Sequence, residues 1–230
     1  MTDLATPPMA ARPAPATHSL PARYKGATVL AIGAHPDDLE LAIGGTLAKL
    51  QSTGARVVMA VVSIPADYDT RRREAEEAAA ILGCELRILV DGGTTKRIED
   101  MKTYELVKIL DGVIKELQPA AVLTHGSSEI HRDHVLVYNA AVSSQRLRYF
   151  DFFSYHPNFC RPVAVQFHPR AYVDVSDTIE AKMDAIAAHR SQFCNRGLPI
   201  DIYRDIARMN GRMIGVQYAE GVDVSRILLA

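Results

Sequence analysis

Short apolar runs that alternate with amphipathic segments over residues 28–147 constrain the fold most. Four runs are almost wholly apolar, which is typical of strands that are covered on both faces. The segments between them repeat their apolar residues at helical spacing. The predicted strands cover residues 28–34, 56–63, 86–90 and 120–124, and the predicted helices cover 38–54, 70–83, 103–117 and 133–147. Strands that alternate with helices predict a parallel sheet with helices packed on it.

The rest of the chain divides into an N-terminal tail and a less regular C-terminal part. Five of the 12 prolines lie in the first 25 residues, where large apolar residues are scarce, so residues 1–25 are predicted to be a flexible tail. Further strands are predicted at 150–155 and 171–175, and helices at 177–193 and 200–213. No repeat or linker divides residues 26–230. We therefore predict a single α/β domain with a Rossmann-like, mostly parallel twisted sheet and helices on both faces.

Composition excludes several classes of protein. The 230 residues carry 26 Lys and Arg against 27 Asp and Glu, a net charge of −1, so a polybasic nucleic-acid surface is not expected. No apolar run approaches the roughly 20 residues of a membrane-spanning helix, so no membrane anchor is expected. The three cysteines lie far apart and indicate no disulfide framework. A reducing, cytoplasmic location is the prediction that follows.

Polar side chains follow the first predicted strand directly. The segment His35-Pro36-Asp37-Asp38 lacks the glycine spacing of a phosphate-binding loop. It places an imidazole before two carboxylates at a strand-to-helix turn. Pro36 fixes this turn, so His35 and one of the carboxylates are expected to face the same point above the sheet. Taken alone, the segment is equally typical of an ordinary helix N-terminus, where Pro and Asp are favoured, and of a metal site.

A second polar cluster follows the fourth predicted strand and contains His125, His131, Asp133 and His134. A catalytic zinc site uses three protein ligands and leaves one position open. His35, one aspartate of the first cluster and either His131 or His134 would supply that set. The alternative is a helix capped by Asp133 with solvated histidines around it. Because the carboxyl ends of parallel strands meet at one edge of a sheet, the two clusters together favour a metal site.

The two clusters also resemble a known family. His35-Pro36-Asp37-Asp38, Gly44-Gly45 and His131-x-Asp133-His134 are similar in order and spacing to the PIG-L (LmbE-like) zinc-dependent N-deacetylases, which remove acetyl groups from N-acetylglucosamine conjugates. The resemblance extends from about residue 28 to residue 228. Its less specific matches are Arg71-x-x-Glu74-Ala75, Leu82-Gly83, Asp174–Asp177, Lys182, His189–Gln192 and Tyr218–Glu220.

The resemblance implies a ligand set and a base. His35, Asp38 and His134 would bind one zinc ion, and iron or cobalt would also suit His/Asp ligation. Asp37, which is not a ligand, would act as the general base on the attacking water. The resemblance thereby selects one aspartate and one histidine from the sets that the residues alone leave open.

The resemblance also implies roles around the substrate. His131 would stabilise the oxyanion or donate a proton, and Asp133 would orient His131 and favour its charged form. Arg71 aligns with a sugar-binding arginine, although two further arginines follow it and leave the register open. Further expected contacts with the sugar are Tyr155, His156 and Asn158.

The predicted function is metal-dependent removal of the N-acetyl group from an N-acetylglucosamine-type conjugate. Assembly into homotrimers or homohexamers is expected from the resemblance. Two alternatives remain open. One is a zinc-dependent amidase that acts on a non-sugar conjugate, such as a thiol adduct or an antibiotic intermediate. The other is a non-catalytic, Rossmann-like nucleotide binder, against which the missing glycine-rich loop argues.

Overall fold

Seven strands and seven α-helices organise the part of the chain that the computed structural model describes, residues 19–157 and 167–229. The strands are β1 (Thr28–Gly33), β2 (Arg56–Val61), β3 (Glu85–Ile88), β4 (Ala121–His125), β5 (Asp151–Tyr155), β6 (Ala171–Asp174) and β7 (Ala219–Arg226). The helices are α1 (Leu20–Arg23), α2 (Asp38–Ser52), α3 (Tyr68–Leu82), α4 (Thr103–Leu117), α5 (Arg132–Ser144), α6 (Ile179–Ala188) and α7 (Asp201–Ile214). None of these helices has the length and apolar character needed to cross a membrane.

The strands form one sheet in the order β3-β2-β1-β4-β5-β7-β6. Strands β1 to β5 pair in parallel, and β7 runs antiparallel to both of its neighbours. This arrangement confirms the predicted mostly parallel α/β fold. After β3 the chain returns to the other side of β1 to form β4. The crevice beyond the carboxyl ends of β1 and β4 is therefore the topological switch point, where open α/β sheets bind their ligands.

Two apolar layers cover the sheet and explain its unbroken apolar runs. In β1, Val29 and Ala31 belong to the apolar cluster with α2, α3 and α6. Leu30 and Ile32 belong to the cluster on the other face, with α4 and α5. All four side chains are fully buried. Because both faces of the central strands are covered, apolar residues are needed at every position rather than at alternate ones.

The elements predicted between residues 28 and 213 agree in type with the observed ones, but the sequence pattern misses α1 and β7. Two of the buried positions of β7 do not carry apolar side chains. Glu220 is a buried carboxylate, and Gly221 lies where a Cβ atom would come within 2.6 Å of Pro169. A buried glutamate and a glycine therefore interrupt the pattern of apolar residues by which a buried strand is predicted from sequence.

The folded part begins earlier than residue 26. Residues 1–18 of the predicted tail lie outside the described residues, but residues 19–25 form α1 and the turn after it. Tyr24 is buried against Phe153, and its hydroxyl donates a hydrogen bond of 2.8 Å to Asp151. The tail prediction is therefore wrong for residues 19–25, because Tyr24 and Arg23 hold them against β5 through Asp151.

Asp151 ties both ends of the described chain to the sheet, and we expect its replacement by Asn to destabilise the fold. Burial opposes the charge of this carboxylate, but hydrogen bonds from Tyr24, the Leu228 backbone, Tyr149 and Arg23 outweigh burial and lower its pKa. The stabilisation is therefore present above the ordinary aspartate pKa of 3.8 and is lost as the pH falls through the lowered value.

Urea unfolding at pH 7 and pH 3 measures this effect. Asp151→Asn should lose about 2 kcal/mol at pH 7, since hydrogen bonds to a charged group each contribute on the order of 1.5–3 kcal/mol. The difference from the unmodified chain should shrink at pH 3. Asp184→Asn, on the exposed face of α6, is the control and should change little. A loss of equal size at both pH values would refute the charge-based explanation.

Candidate functional site

The turn after β1 places two aspartates at the switch point in different environments. Asp37 precedes α2 with a left-handed backbone (φ 91°), which is uncommon for any residue except glycine. Asp38 begins the helix, and its Oδ2 accepts a hydrogen bond of 2.8 Å from the backbone N–H of His35. The turn thereby aims Asp38 back at the strand end and leaves Asp37 facing the cleft. Strain of this kind is concentrated at functional sites.

His35, Asp38 and His134 converge on one point at the floor of the cleft. One nitrogen or oxygen of each lies within 4.8 Å of the others. His134 Nε2 lies 3.3 Å from Asp38 Oδ1, and His35 Nδ1 lies 3.8 Å from Asp38 Oδ2. Two imidazoles and one carboxylate are the donor set of a catalytic zinc site, so the residues present fit a divalent transition metal.

The charges of this cluster suit a cation. Burial opposes ionisation of Asp38, but His134 and His125 hold its pKa well below the ordinary range. Burial also opposes the charge on His134, yet Asp38 and Glu129 raise its pKa to about 10. The two carboxylates thus favour a positive charge at this position. A divalent ion would replace that positive charge, since metal ligands bind in their deprotonated forms.

Asp37 differs electrostatically from its neighbour. Burial, and then the adjacent Asp38 carboxylate, raise the pKa of Asp37 to about 6, and Arg71 offsets part of this shift. A carboxylate with a pKa near neutrality accepts a proton and returns it readily, which is what a general base and acid must do. Arg71 lies nearest among the cations, with its Nη2 at 3.7 Å from Asp37 Oδ2.

Arg71 is the one arginine of the three consecutive ones on α3 that faces the cleft. It is buried, and its Nη2 donates a hydrogen bond of 2.9 Å to the carbonyl oxygen of Pro36. Arg72 instead contacts Glu76 and Asp91 at the surface. Of these two arginines, Arg71 is therefore the one placed to contact a molecule in the cleft.

Asp133 does not pair with His131 as expected. Its Oδ2 lies 2.9 Å from His35 Nε2, and the Nδ1 of His131 accepts a hydrogen bond of 3.3 Å from the backbone N–H of Asp133. Burial, followed by the positive fields of His134 and His35, lowers the pKa of His131. Asp133 does raise the pKa of His131, as expected, but burial and the two neighbouring imidazoles outweigh it, so the charged form of His131 is not favoured overall.

Two of the three other residues expected around the sugar, Tyr155 and His156, are not among the residues that line the cleft. Tyr155 is fully buried beneath it, and its hydroxyl donates a hydrogen bond of 2.7 Å to the Ile32 carbonyl oxygen. His156 is buried against Glu129. Asn158 lies outside the described residues. The walls of the cleft are instead formed by apolar and charged residues from several other segments: Leu41, Arg97, Phe193, Arg196, Leu198 and Tyr203.

Sequence reasoning also missed the bend in α2, the helix that carries Asp38. The helix departs from helical geometry at Ile43 (φ −135°, ψ 19°). Directly after the bend, Gly45 packs so closely on Val175 that a Cβ atom would lie 2.9 Å from the valine Cβ. The Gly44-Gly45 pair therefore permits a close approach between α2 and the end of β6.

A buried ion pair satisfies the backbone groups that the bend releases. The Lys182 ammonium lies 2.5 Å from Glu220 and donates a hydrogen bond of 2.9 Å to the Leu41 carbonyl oxygen. The Glu220 carboxylate accepts hydrogen bonds from the backbone N–H groups of Gly45 and Thr46, at 3.0 and 2.6 Å. Both charged side chains are almost completely buried. The pair thus fixes the direction of the first turns of α2, and with it the position of Asp38.

Comparison with known proteins identifies the family. The model of the family described as PIG-L, GlcNAc-PI de-N-acetylase, matches residues 30–144, half of the chain. A diacetylchitobiose deacetylase of Thermococcus kodakarensis is 30% identical over 84% of this chain and 81% of its own length. The chain belongs to the PIG-L family. This membership confirms the predicted family and supports an enzyme of the deacetylase class.

Two further PIG-L relatives cover most of the chain. The N,N'-diacetylchitobiose deacetylase of Pyrococcus horikoshii has a solved structure that superposes with a TM-score of 0.69 at 26% identity, over 86% of this chain and 83% of that one. A probable N-acetyl-alpha-D-glucosaminyl L-malate deacetylase of Bacillus cereus is 27% identical over 71% of this chain and 83% of its own length. These relatives act on different acetylated glucosamine compounds, according to their names.

Proposed function

We propose that this PIG-L protein is a zinc-dependent N-deacetylase that hydrolyses the acetamide of an N-acetylglucosamine-type conjugate. The observation that carries the proposal is the convergence of His35, Asp38 and His134 within 4.8 Å, beside Asp37 at the floor of the cleft. The named substrates of the relatives from Thermococcus kodakarensis and Bacillus cereus support the amino-sugar class.

His35, Asp38 and His134 would hold the metal. When bound there, a zinc, iron or cobalt ion supplies Lewis-acid polarisation of a carbonyl group and makes water a stronger acid. The buried Asp38 carboxylate contributes the negative charge of the ligand set, and Asp133 orients His35 through the contact at its Nε2.

Asp37 would take the proton from the attacking water and pass it to the leaving amine. Its oxygens face the cleft, and its pKa of about 6 leaves it ionised at neutral pH. The guanidinium of Arg71 lies close enough to steady this carboxylate and remains in reach of a bound sugar. Proton transfer of this kind contributes on the order of 10²–10⁴-fold to a rate.

His131 would stabilise the oxyanion as a neutral donor rather than as an imidazolium. Its Nδ1 accepts a hydrogen bond from the Asp133 backbone, so the ring proton of the neutral form lies on Nε2. This N–H is available to the carbonyl oxygen as negative charge develops on it. The lowered pKa of His131 agrees with a neutral ring at pH 7.

The two alternatives make different predictions. An amidase for a non-sugar conjugate would use the same centre, and the apolar residues Leu41, Phe193 and Leu198 on the cleft wall are compatible with such a group. A nucleotide binder would need neither the metal nor Asp37. Family membership favours hydrolysis over binding alone. A cytoplasmic location and assembly into trimers or hexamers stay predictions.

Acetate release from a panel of substrates tests the proposal. The panel contains N-acetylglucosamine conjugates with sugar, acidic and lipid aglycones, together with N-acetylated amines that lack a sugar. We expect release from at least one glucosamine conjugate, loss of release in a chelator, and recovery when Zn²⁺ is restored. Release only from the amines without a sugar would favour the alternative amidase. Release that a chelator leaves unchanged would refute the metal-dependent mechanism.

A further inference from the structure

Glu129 is a buried carboxylate to which the proposed mechanism gives no role. It lies between β4 and α5, and its side chain is completely shielded from solvent. Neither carboxylate oxygen receives a hydrogen bond of good geometry. Burial of an isolated charge costs several kcal/mol, so a carboxylate is retained in such a position only where charged or polar partners compensate for the lost hydration.

The partners of Glu129 are imidazoles. Its Oε2 lies 3.5 Å from the Nδ1 of His134, and its Oε1 lies 3.4 Å from the Nδ1 of His156. His125, at the end of β4, is the third imidazole near Glu129. One of its ring nitrogens lies within 4.8 Å of a carboxylate oxygen of Glu129 and of a ring nitrogen of His134. Glu129 therefore contacts the side of the His134 ring that faces away from Asp38.

The two nitrogens of His134 have different neighbours as a result. Nε2 faces Asp38 at 3.3 Å, within the cluster proposed to bind the metal, and Nδ1 faces Glu129. A histidine that binds a metal through Nε2 carries its ring proton on Nδ1, where it needs an acceptor. A carboxylate in that place fixes the tautomer and the ring orientation, and it makes the imidazole a stronger ligand.

We propose that Glu129 is a positioning residue that holds His134 in the tautomer and orientation required for metal binding. The inference rests on the proposed function, because it takes His134 as a ligand. It adds a residue outside both sequence motifs, and it explains why a carboxylate without solvent contact lies behind the cluster. The stacking of the His125 and His134 rings, with centroids 3.9 Å apart, fixes the same ring from its face.

A second metal ion bound by His125, Glu129 and His134 is the competing interpretation of the same residues. These three side chains also offer ligand atoms within 4.8 Å of one another. Two ions would require both nitrogens of His134 to act as ligands, and hence a fully deprotonated imidazolate. The geometry favours the carboxylate partner, which needs only the neutral ring.

Glu129→Gln tests the proposal in the full-length chain, because glutamine keeps the shape and removes the charge. Zn²⁺ affinity is measured by competition with a chromophoric chelator, and a long-range ¹⁵N–¹H spectrum of the zinc form reports which nitrogen of His134 carries the proton. We expect the Kd for Zn²⁺ to rise about 10–100-fold and the Nδ1–H signal of His134 to broaden or shift. Asp111→Asn, a buried carboxylate on α4 away from the cleft, is the matched control and should leave both readouts unchanged.

The outcomes separate this inference from the function on which it rests. If the unmodified chain binds no Zn²⁺, or if His134→Ala binds it equally well, the proposed metal centre itself is refuted. If the unmodified chain binds one equivalent and Glu129→Gln binds equally well with the same His134 spectrum, the inference alone is refuted. Two equivalents in the unmodified chain, with one lost in Glu129→Gln, would also overturn it in favour of a second metal site. A lowered unfolding midpoint with an unchanged Kd would show a structural role only.

Discussion

Asp37→Asn is expected to lower kcat for acetate release about 10²–10⁴-fold, the usual contribution of a general acid and base. Asparagine has nearly the same shape and cannot take a proton from water. It also tolerates the left-handed backbone at this position, where alanine would add backbone strain to the loss of the carboxylate. Zn²⁺ content and the unfolding midpoint should stay close to those of the unmodified chain, since Asp37 is not among the three converging residues.

Asp67→Asn is the matched control for this variant. Asp67 also has a left-handed backbone (φ 47°) at the start of a helix, but its side chain is exposed. We expect acetate release by Asp67→Asn to stay within about twofold, far from the loss expected of a catalytic base. Activity of Asp37→Asn within tenfold of the unmodified chain, at equal metal content, would rule out the general-base role.

Lys182→Met is expected to reduce the free energy of unfolding by about 3–5 kcal/mol, the cost of leaving a buried charge without its partner. Glu220 would remain between α2 and β7 with only two backbone N–H groups as donors, and the Leu41 carbonyl would lose its hydrogen bond. Urea unfolding measures the loss. The Lys182–Glu220 pair fixes the bend in α2, and Asp38 lies in the turn before that bend. The affinity for Zn²⁺ should therefore weaken in the same variant.

Lys49→Met separates the effect of burial from that of a lost charge. Lys49 also pairs with an aspartate, Asp177, but this carboxylate is 64% exposed, so water can solvate it when the lysine is removed. Exposed pairs contribute about 0–1 kcal/mol. Lys182→Met should therefore be the more destabilising variant by at least about 2 kcal/mol, the gap between the ranges for buried and exposed ion pairs. Equal losses in the two variants would mean that the bend in α2 does not depend on the buried pair.

The parallel sheet and the place of the site could be predicted because both depend on strong local patterns. Continuous apolar runs indicate strands covered on both faces, and the polar residues after β1 and β4 then lie at the switch point. The residues alone left two aspartates and two histidines open as ligands. Resemblance to the PIG-L family selected Asp38 and His134, which the structure brings together with His35.

The parts that could not be predicted depend on contacts between distant segments. Glu220 in β7 is buried because Lys182 on α6 meets it, and nothing near it in the sequence signals that partner. The Asp133 carboxylate lies beside two imidazoles, His35 and His131. It contacts His35, while His131 caps α5, and the sequence does not indicate which of the two it contacts. Tyr155 is expected to contact the sugar, but its side chain is completely buried, because strand alternation points it into the core.

Titration of the metal-free chain with Zn²⁺ tests the central claim most directly. His134→Ala is compared with His168→Ala, which removes an exposed histidine far along the chain. We expect one tightly bound equivalent of Zn²⁺ in the unmodified chain and in His168→Ala, and none in His134→Ala. Absence of tight binding in the unmodified chain, or equal binding by His134→Ala, would contradict it.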